Sequence, residues 1–572
     1  MFEKISTVLS INDKRKFYIL FFIIILVIFI EMIGIGLIPL YIILISNPSS
    51  FIDKIPLQSV RIYLSSYETN IFVTYSTLFL FVIFFFKNFL LGIFIYIQGK
   101  IIVQFNKLTS SFLFNYYINS NYLFYVNTNP SQIMRILNTD IGLTFNLIQS
   151  ILKLIRESLI VIAVLAVMLL VNFKIYFSTF VLFLIFLSIF YYIFKDKLKS
   201  KGKMYQSESS KNIKIINQSF NSLKEIKISK AENFFLNIFN LSVKKMQELG
   251  FFNYLITTLP RLFLEIFAIG IITLFTLSFF YFKYPISTFI PLLSLLAVAC
   301  IRFIPAFNSI VNSINTIKFY SPSLDVISSE ILNSHKIKLV KEKIISDKNF
   351  LFNKRIEFKN VSYRYDRQKE NILNNIDLTI DKGGIYALSG VSGSGKTTLI
   401  NLLLGFLDPD KGKISIDEFE LSKNINLWQT KIGYIPQNVY LLDESLKENI
   451  AFGVDEKDYD QTKLEKVISQ SRLDKFASTL SNGIETNLGN MGNKISGGQK
   501  QRIGIARALY RDPEILIFDE ATNSLDKEVE KEIFEDVYNN KGSKTIIIIS
   551  HQKFFYDKCD EVFELKNGKL VK

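Results

Sequence analysis

Hydrophobic positions in the first half of this 572-residue chain gather into long unbroken stretches, at roughly 17–46, 71–98, 157–194 and 262–320. A helix rising about 1.5 Å per residue needs about 20 apolar residues to cross about 30 Å of hydrocarbon, so each stretch can span a membrane. The third is broken by Asn172-Phe173-Lys174 and the fourth by Lys283-Tyr284-Pro285, and four stretches with two breaks predict six spans. Beyond residue 350 the pattern changes. Shorter apolar or alternating segments at Arg355–Tyr363, Asn375–Ile380, Gly384–Leu388, Ile515–Phe518 and Thr545–Ile549, with helical sequence between them, predict the strands of an α/β domain. The expected organisation is multidomain: an all-α six-helix transmembrane domain over 1–325, a charged linker over 326–354 and an α/β domain over 355–572.

Polar but helix-compatible sequence continues the spans at 99–118 and 195–250, which predicts helices protruding from the membrane. Two short elements sit at their tips, Tyr116 to Tyr125, closed by Asn129-Pro130, and Asn217 to Ala231. Between the first two spans, 49–68 mixes apolar and polar residues as a short amphipathic helix on the outer membrane surface does. The chain has 66 Lys and Arg against 51 Asp and Glu, and the position of that excess decides its meaning. Residues 195–230 hold ten lysines, and Lys4, Lys14, Arg15 and Lys16 precede the first span, whereas the expected outer loops 47–70 and 281–286 hold only Lys54, Arg61 and Lys283. The positive-inside rule then places both termini and the second long loop in the cytoplasm, so the charge implies membrane topology and no nucleic-acid partner. The first span lacks a small-residue cleavage site and is too long for a signal-peptide core, so it is read as retained. Cys300 and Cys559, the only two cysteines, make neither a disulfide framework nor a zinc site. The 54 Phe and 27 Tyr are read as lipid-facing or core residues rather than a platform for bases.

The chemistry sits in the second half. Gly390-Val391-Ser392-Gly393-Ser394-Gly395-Lys396-Thr397 fits the phosphate loop, in which glycines let backbone N–H groups curl around phosphate oxygens, the lysine adds a point charge and the threonine holds Mg²⁺; Thr398 follows. About a hundred residues on come Ile495-Ser496-Gly497-Gly498-Gln499 and then the apolar run Ile515 to Phe518 ending in Asp519-Glu520. In that order these motifs resemble the ATP-binding cassette family, with the match running from Arg355 to the last residue. The resemblance implies an α/β cassette ATPase that uses ATP and Mg²⁺. Tyr365 then stands where a ring packs on adenine, and Gln437 where a loop glutamine reaches Mg²⁺. Asp519, at the end of an apolar strand, calls for a cation. Glu520 is the general base that polarises the attacking water, and His551 is the switch residue at the γ-phosphate. Ser496, Gly497, Gly498 and Gln499 open a helix whose free N–H groups complete the pocket of the opposite subunit, with Asp526 in the loop after Glu520. One cassette per chain and no internal repeat imply a homodimer with two composite sites. Ile495 replaces leucine in the signature, Asn523-Ser524-Leu525-Asp526 departs from Ser-Ala-Leu-Asp, and Thr486 to Gly492, with Asn490, lacks the usual glutamates.

Six spans fused ahead of one cassette resemble an exporter half-transporter of a bacterial inner membrane, with the ATPase in the cytoplasm. The short elements at 116–125 and 217–231 then correspond to the transverse helices that seat on nucleotide domains. Ionisable residues within spans are costly and mark cavities or partners. Lys87 and Arg302 lie about 24 Å, and Arg261 about 30 Å, from the outer ends of their spans, so all three fall near the inner leaflet. Such cations suit a multiply anionic headgroup such as a lipid pyrophosphate. Leu259-Pro260-Arg261 to Glu265, Arg302 to Asn308, Ser321-Pro322 to Asp325 and the outer amphipathic segment are similar to bacterial flippases of lipid-linked oligosaccharides in protein glycosylation, which would move an undecaprenyl-pyrophosphate glycan outward. Lys87 stands where arginine is expected there and lacks its planar fork. A cassette exporter of a peptide, drug or other lipid is the alternative.

Overall fold

The computed structural model describes residues 1–10, 14–46, 69–171, 173–281, 286–341, 350–365, 370–489, 495–521, 527–538, 541–550 and 552–571. The amphipathic segment expected at 49–68, Asp526 and His551 lie outside them. The chain divides into two compact units, Met1–Ser120 with Phe124–Lys338, and Asn121–Leu123 with Leu339–Lys572.

The first unit is helical throughout: α1 (Phe2–Leu9), α2 (Lys14–Ser46), α3 (Thr69–Ile118), α4 (Tyr122–Asn127), α5 (Pro130–Arg135), α6 (Ile141–Val171), α7 (Phe173–Asn221), α8 (Leu223–Ser229), α9 (Glu232–Tyr281) and α10 (Ile286–Lys341). Six of these, α2, α3, α6, α7, α9 and α10, run for 31 to 56 residues and correspond to the six expected spans; α6 ends at Val171 and α9 at Tyr281, where the sequence breaks fall. Among the described residues, stretches of α3, α9 and α10 are long and apolar enough to cross a membrane. On α3, Phe79, Phe81 and Phe85 are more than half exposed. The helix interfaces bury Leu20 and Ile24 of α2, Val164 of α6, Leu264 of α9 and Ala299 of α10.

Two features depart from expectation. Residues 326–341 are helix rather than linker, because Leu324, Ile327 and Ile331, spaced three and four apart, bury one face of α10 in the core and carry the helix on. The N-terminus forms α1, whose Ile5, Val8 and Leu9 join the same core while Lys4 pairs with Asp325 at 2.6 Å. Burying three such side chains contributes several kcal/mol at about 1.5–3 each, which is ample to seat a two-turn helix.

The strands of the second unit are β1 (Arg355–Tyr363), β2 (Leu373–Asp381), β3 (Ile385–Ser389), β4 (Lys411–Ile416), β5 (Phe419–Glu420), β6 (Ile432–Ile435), β7 (Ile515–Asp519), β8 (Thr545–Ile549), β9 (Glu561–Lys566) and β10 (Lys569–Val571). An antiparallel sheet of order β2-β1-β4-β5 accompanies a six-stranded sheet of order β10-β9-β3-β8-β7-β6, in which β9, β3, β8, β7 and β6 run parallel. Tyr122, in the part of α4 grouped with this unit, stacks its ring on Phe406 at 5.0 Å. Parallel strands end on one side, so the loops leaving β3, β7 and β8 share a single edge of the sheet, and that shared edge assembles the site.

Candidate active site

Strand β3 buries Ile385, Tyr386, Ala387 and Leu388, continuous apolar sequence that only a sheet covered on both faces accommodates. The chain leaves it through Gly390 (φ 147°), Gly393 (φ 78°) and Gly395 (φ 106°) into a helix, α11 (Lys396–Leu403). These left-handed angles favour glycine. Space demands it as well: a Cβ on Gly390 would collide with the carbonyl oxygen of Leu565, and one on Gly395 would sit 2.9 Å from Leu373 Cδ2.

Lys396 is 8% exposed, and its Nζ donates to the carbonyls of Gly390 at 2.6 Å and Val391 at 3.2 Å. The Ser394 hydroxyl is buried without a hydrogen-bond partner. Thr397 faces outward and Thr398 packs inward, while Ser392 is exposed. A buried ammonium, an unanswered hydroxyl and backbone N–H groups at a helix start make a cradle suited to the phosphates of a nucleotide.

Strand β7 delivers Asp519 and Glu520 to the same edge. Tyr434 of β6 donates its hydroxyl to Asp519 Oδ2 at 2.9 Å. The Asp519 carboxyl sits above the usual range, chiefly through burial; the Tyr434 hydrogen bond and the Lys396 charge pull it down, and the Glu520 charge pushes it up. A desolvated carboxylate at this edge fits a divalent cation, with Asp519, Thr397 and Gln437 the candidate holders. Glu520 takes φ 49°, a conformation that costs a non-glycine residue about 1–3 kcal/mol. Its N–H donates to Ile549 of β8 at 3.1 Å, which fixes the bend and turns the side chain off the strand end. There Gln437 Nε2 donates to Glu520 Oε2 at 2.9 Å. The structure therefore brings Gln437, Glu520, Asp519 and Lys396 to one place.

The remaining predicted residues fall as follows. Tyr365 is part-buried, edge-on to Tyr363 at 5.1 Å, just past β1. Ser496 caps helix α12 (Gly497–Tyr510) in a reciprocal box: its hydroxyl accepts from Gln499 N–H at 3.2 Å and Gln499 Oε1 accepts from Ser496 N–H at 2.8 Å. Ser496 and Gly497 are exposed and Gly498 is part-buried. Ser550, which precedes His551, has its carbonyl held by Tyr556 at 2.6 Å. Tyr434 and Tyr556 are the residues that sequence reasoning missed. Tyr434 carried a signal, a polar tip on a buried strand one register from the strand that ends in Asp519.

In the first unit the three predicted cations have different described contacts. Arg302 is ion-paired with Glu31, which is 4% exposed. Lys87 lies with its Nζ 4.9 Å from the Phe84 ring centroid and its stem against Gly34. Arg261 pairs with Glu265 at 2.9 Å and lines a cavity among whose described lining residues neither Lys87 nor Arg302 appears.

Comparison with known proteins agrees with this geometry. Residues 373–523 match the family model described as ABC transporter. The chain is 35% identical over 218 residues to an ATP-dependent lipid A-core flippase of Ralstonia nicotianae, covering 38% of this chain and 37% of that protein. It is 33% identical over 303 residues to the heterocyst differentiation ATP-binding protein HepA of Nostoc sp., covering 53% of this chain and 48% of that one. The match thus takes in less than half of either relative's length. A solved bacterial Atm1-family ABC exporter with ATP bound superimposes with a TM-score of 0.75 at 17% identity, covering 98% of this chain and 94% of that one, which is a likeness of fold.

Proposed function

We propose that this chain, whose nucleotide domain is that of an ABC transporter and whose whole length takes an ABC-exporter fold, hydrolyses ATP as a homodimer to drive a lipid-linked substrate across a bacterial inner membrane. The observation that carries the ATPase half is the grouping of Lys396, Asp519, Glu520 and Gln437 on one sheet edge beside a glycine cradle. Lys396 and the loop N–H groups bind and orient the phosphates. Glu520, held by Gln437, accepts the proton of the attacking water. Mg²⁺, held through Asp519, Thr397 and Gln437, would supply charge neutralisation at the transferring phosphoryl group. Ser496 and the N-terminus of α12 would close the pocket of the partner, and His551 would contact the γ-phosphate.

For the substrate we favour an undecaprenyl-pyrophosphate-linked oligosaccharide, carried from the cytoplasmic to the periplasmic leaflet. Support comes from Arg261 at the cavity and from Lys87, a second intramembrane cation without a carboxylate beside it among the described contacts. The Arg302–Glu31 and Arg261–Glu265 pairs favour the alternative, export of another lipid, a peptide or a drug, because they neutralise two of the three cations the first reading relies on. Vesicles containing the purified dimer and a labelled pyrophosphate-linked glycolipid decide between them. ATP-dependent loss of label from the nucleotide-domain side, abolished in Arg261→Ala, supports the glycolipid; transport of the glycolipid undiminished in Arg261→Ala removes that residue from recognition, and no transport of it by the unaltered protein favours the alternative.

A further inference from the structure

A cavity of about 540 Å³ opens among α6, α9 and α10 of the first unit, and its chemistry is unusual for helices this apolar. Helix α10 presents to it Asn308, Ser309, Asn312, Ser313 and Thr316, a spacing of one, four, five and eight that puts every one on a single helical face. Only Ile304 and Pro305 are apolar among its described lining residues, and none is aromatic. A polar stripe of five residues in the middle of an apolar helix is costly unless something answers it.

The protein leaves part of it unanswered. The side-chain oxygens of Asn308 and Asn312 are buried without a hydrogen-bond partner. Both are acceptors, so what they lack is a donor. The charges across the cavity are Lys153 on α6 and the Arg261–Glu265 pair on α9. The pair cancels internally and Lys153 remains, an exposed ammonium that gives the cavity a net positive charge. A flat aromatic or cationic drug finds no ring to stack on here and a charge of the wrong sign. A ligand with many hydroxyls and a phosphate finds both of its needs met: amide oxygens and serine hydroxyls for the O–H groups, Lys153 for the phosphate oxygens.

We propose that this cavity reads the sugar part of the substrate, with Asn308 and Asn312 accepting glycan hydroxyls while Lys153 holds the adjoining phosphate. The inference rests on the lipid-linked reading above for its choice of a headgroup joining phosphate to sugar, but the pocket's preference for a glycan stands on its own residues. Sequence pattern alone does not disclose it, because Lys153 lies outside the stretches that the cation argument used and the stripe appears only when α10 is drawn as a helix.

The experiment measures ATP-dependent translocation by the full-length dimer in vesicles with three lipids: polyprenyl pyrophosphate carrying an oligosaccharide, the same pyrophosphate without sugar, and a phosphorylated hexosamine glycolipid. The readout is the ratio of sugar-bearing to sugarless transport, which a general loss of folded protein does not shift. The double variant Asn308→Leu/Asn312→Leu keeps side-chain bulk and removes the acceptors, and it is expected to lower the ratio about tenfold, as loss of one or two hydrogen bonds does. Lys153→Gln is expected to slow both pyrophosphate lipids together and leave their ratio near that of the unaltered protein. An unchanged ratio in the double variant, or an unaltered protein that does not prefer sugar-bearing lipid, overturns the proposal. If the unaltered protein ignores both pyrophosphate lipids yet moves the hexosamine glycolipid in an Asn308- and Asn312-dependent way, the pocket stands and the undecaprenyl reading falls.

Discussion

Glu520 sits one residue past the end of β7 in a left-handed conformation that glutamate adopts only under constraint, and Gln437 fixes its carboxylate. Such strain persists where the surroundings over-determine it. For Glu520→Gln we expect nucleotide binding to survive, since the cradle and Lys396 are untouched, while turnover falls by about 10²–10⁴-fold, the worth of a positioned general base. Single-turnover hydrolysis by the purified protein beside equilibrium nucleotide binding checks this, and near-normal turnover would assign the base elsewhere. Most of this site was legible in the chain, because each motif is contiguous and its chemistry depends on backbone geometry that the glycines announce. What was not legible came from distant partners: Glu31 lies in another helix from Arg302, and Tyr434 reaches Asp519 only because β6 and β7 are neighbours.

At the scale of elements, β1, β2, β3, β7 and β8 were read to within a residue or two because their runs are apolar or alternating and bounded by turn residues, and the long helices because hydrocarbon demands about 20 apolar residues, whereas β4, β5, β6, β9 and β10 were not read. The linker boundary was misplaced because α10 continues past its apolar window on a helical face that charge counts hide. The single π-helical turn described, Ile136–Asp140 between α5 and α6, carried no sequence signal either. It brings Asp140, 1% exposed, to accept from Arg135 Nε at 2.9 Å, Ser323 Oγ at 2.8 Å and Gln206 Nε2 at 3.1 Å, which ties the start of α6 to α7 and α10. Removing one partner of a buried pair strands the other charge, so Asp140→Ala is expected to cost about 3–5 kcal/mol. Asp140→Asn keeps acceptors for Ser323 and Gln206 and should cost less. Thermal unfolding of the detergent-solubilised protein tests the order, and equal midpoints for both variants and the unaltered chain would show the network to be energetically idle.

At the scale of the whole molecule the cassette occurs once, and its signature serine caps an exposed helix start whose own side-chain bonds are spent on Gln499. The N–H groups of Gly497 and Gly498 are then the part of that helix start available to a nucleotide, and a second chain is the natural source of the phosphates they would meet. If two copies pair about a twofold axis, each pocket takes Lys396 from one chain and Ser496 from the other. On that arrangement, chains carrying Lys396→Ala should be inactive in their own dimers, and so should chains carrying Ser496→Arg. In a mixed dimer the intact Lys396 and the intact Ser496 meet at one pocket, while both lesions collect at the second. Random pairing of equal amounts makes about half the dimers mixed with one good pocket each, so about a quarter of all pockets recover. Nucleotide occlusion by the co-reconstituted chains should therefore rise to about that fraction of the unaltered level. Recovery no greater than the sum of the two separate variants would mean that each chain completes its pocket with its own signature helix, and the composite site would have to be abandoned.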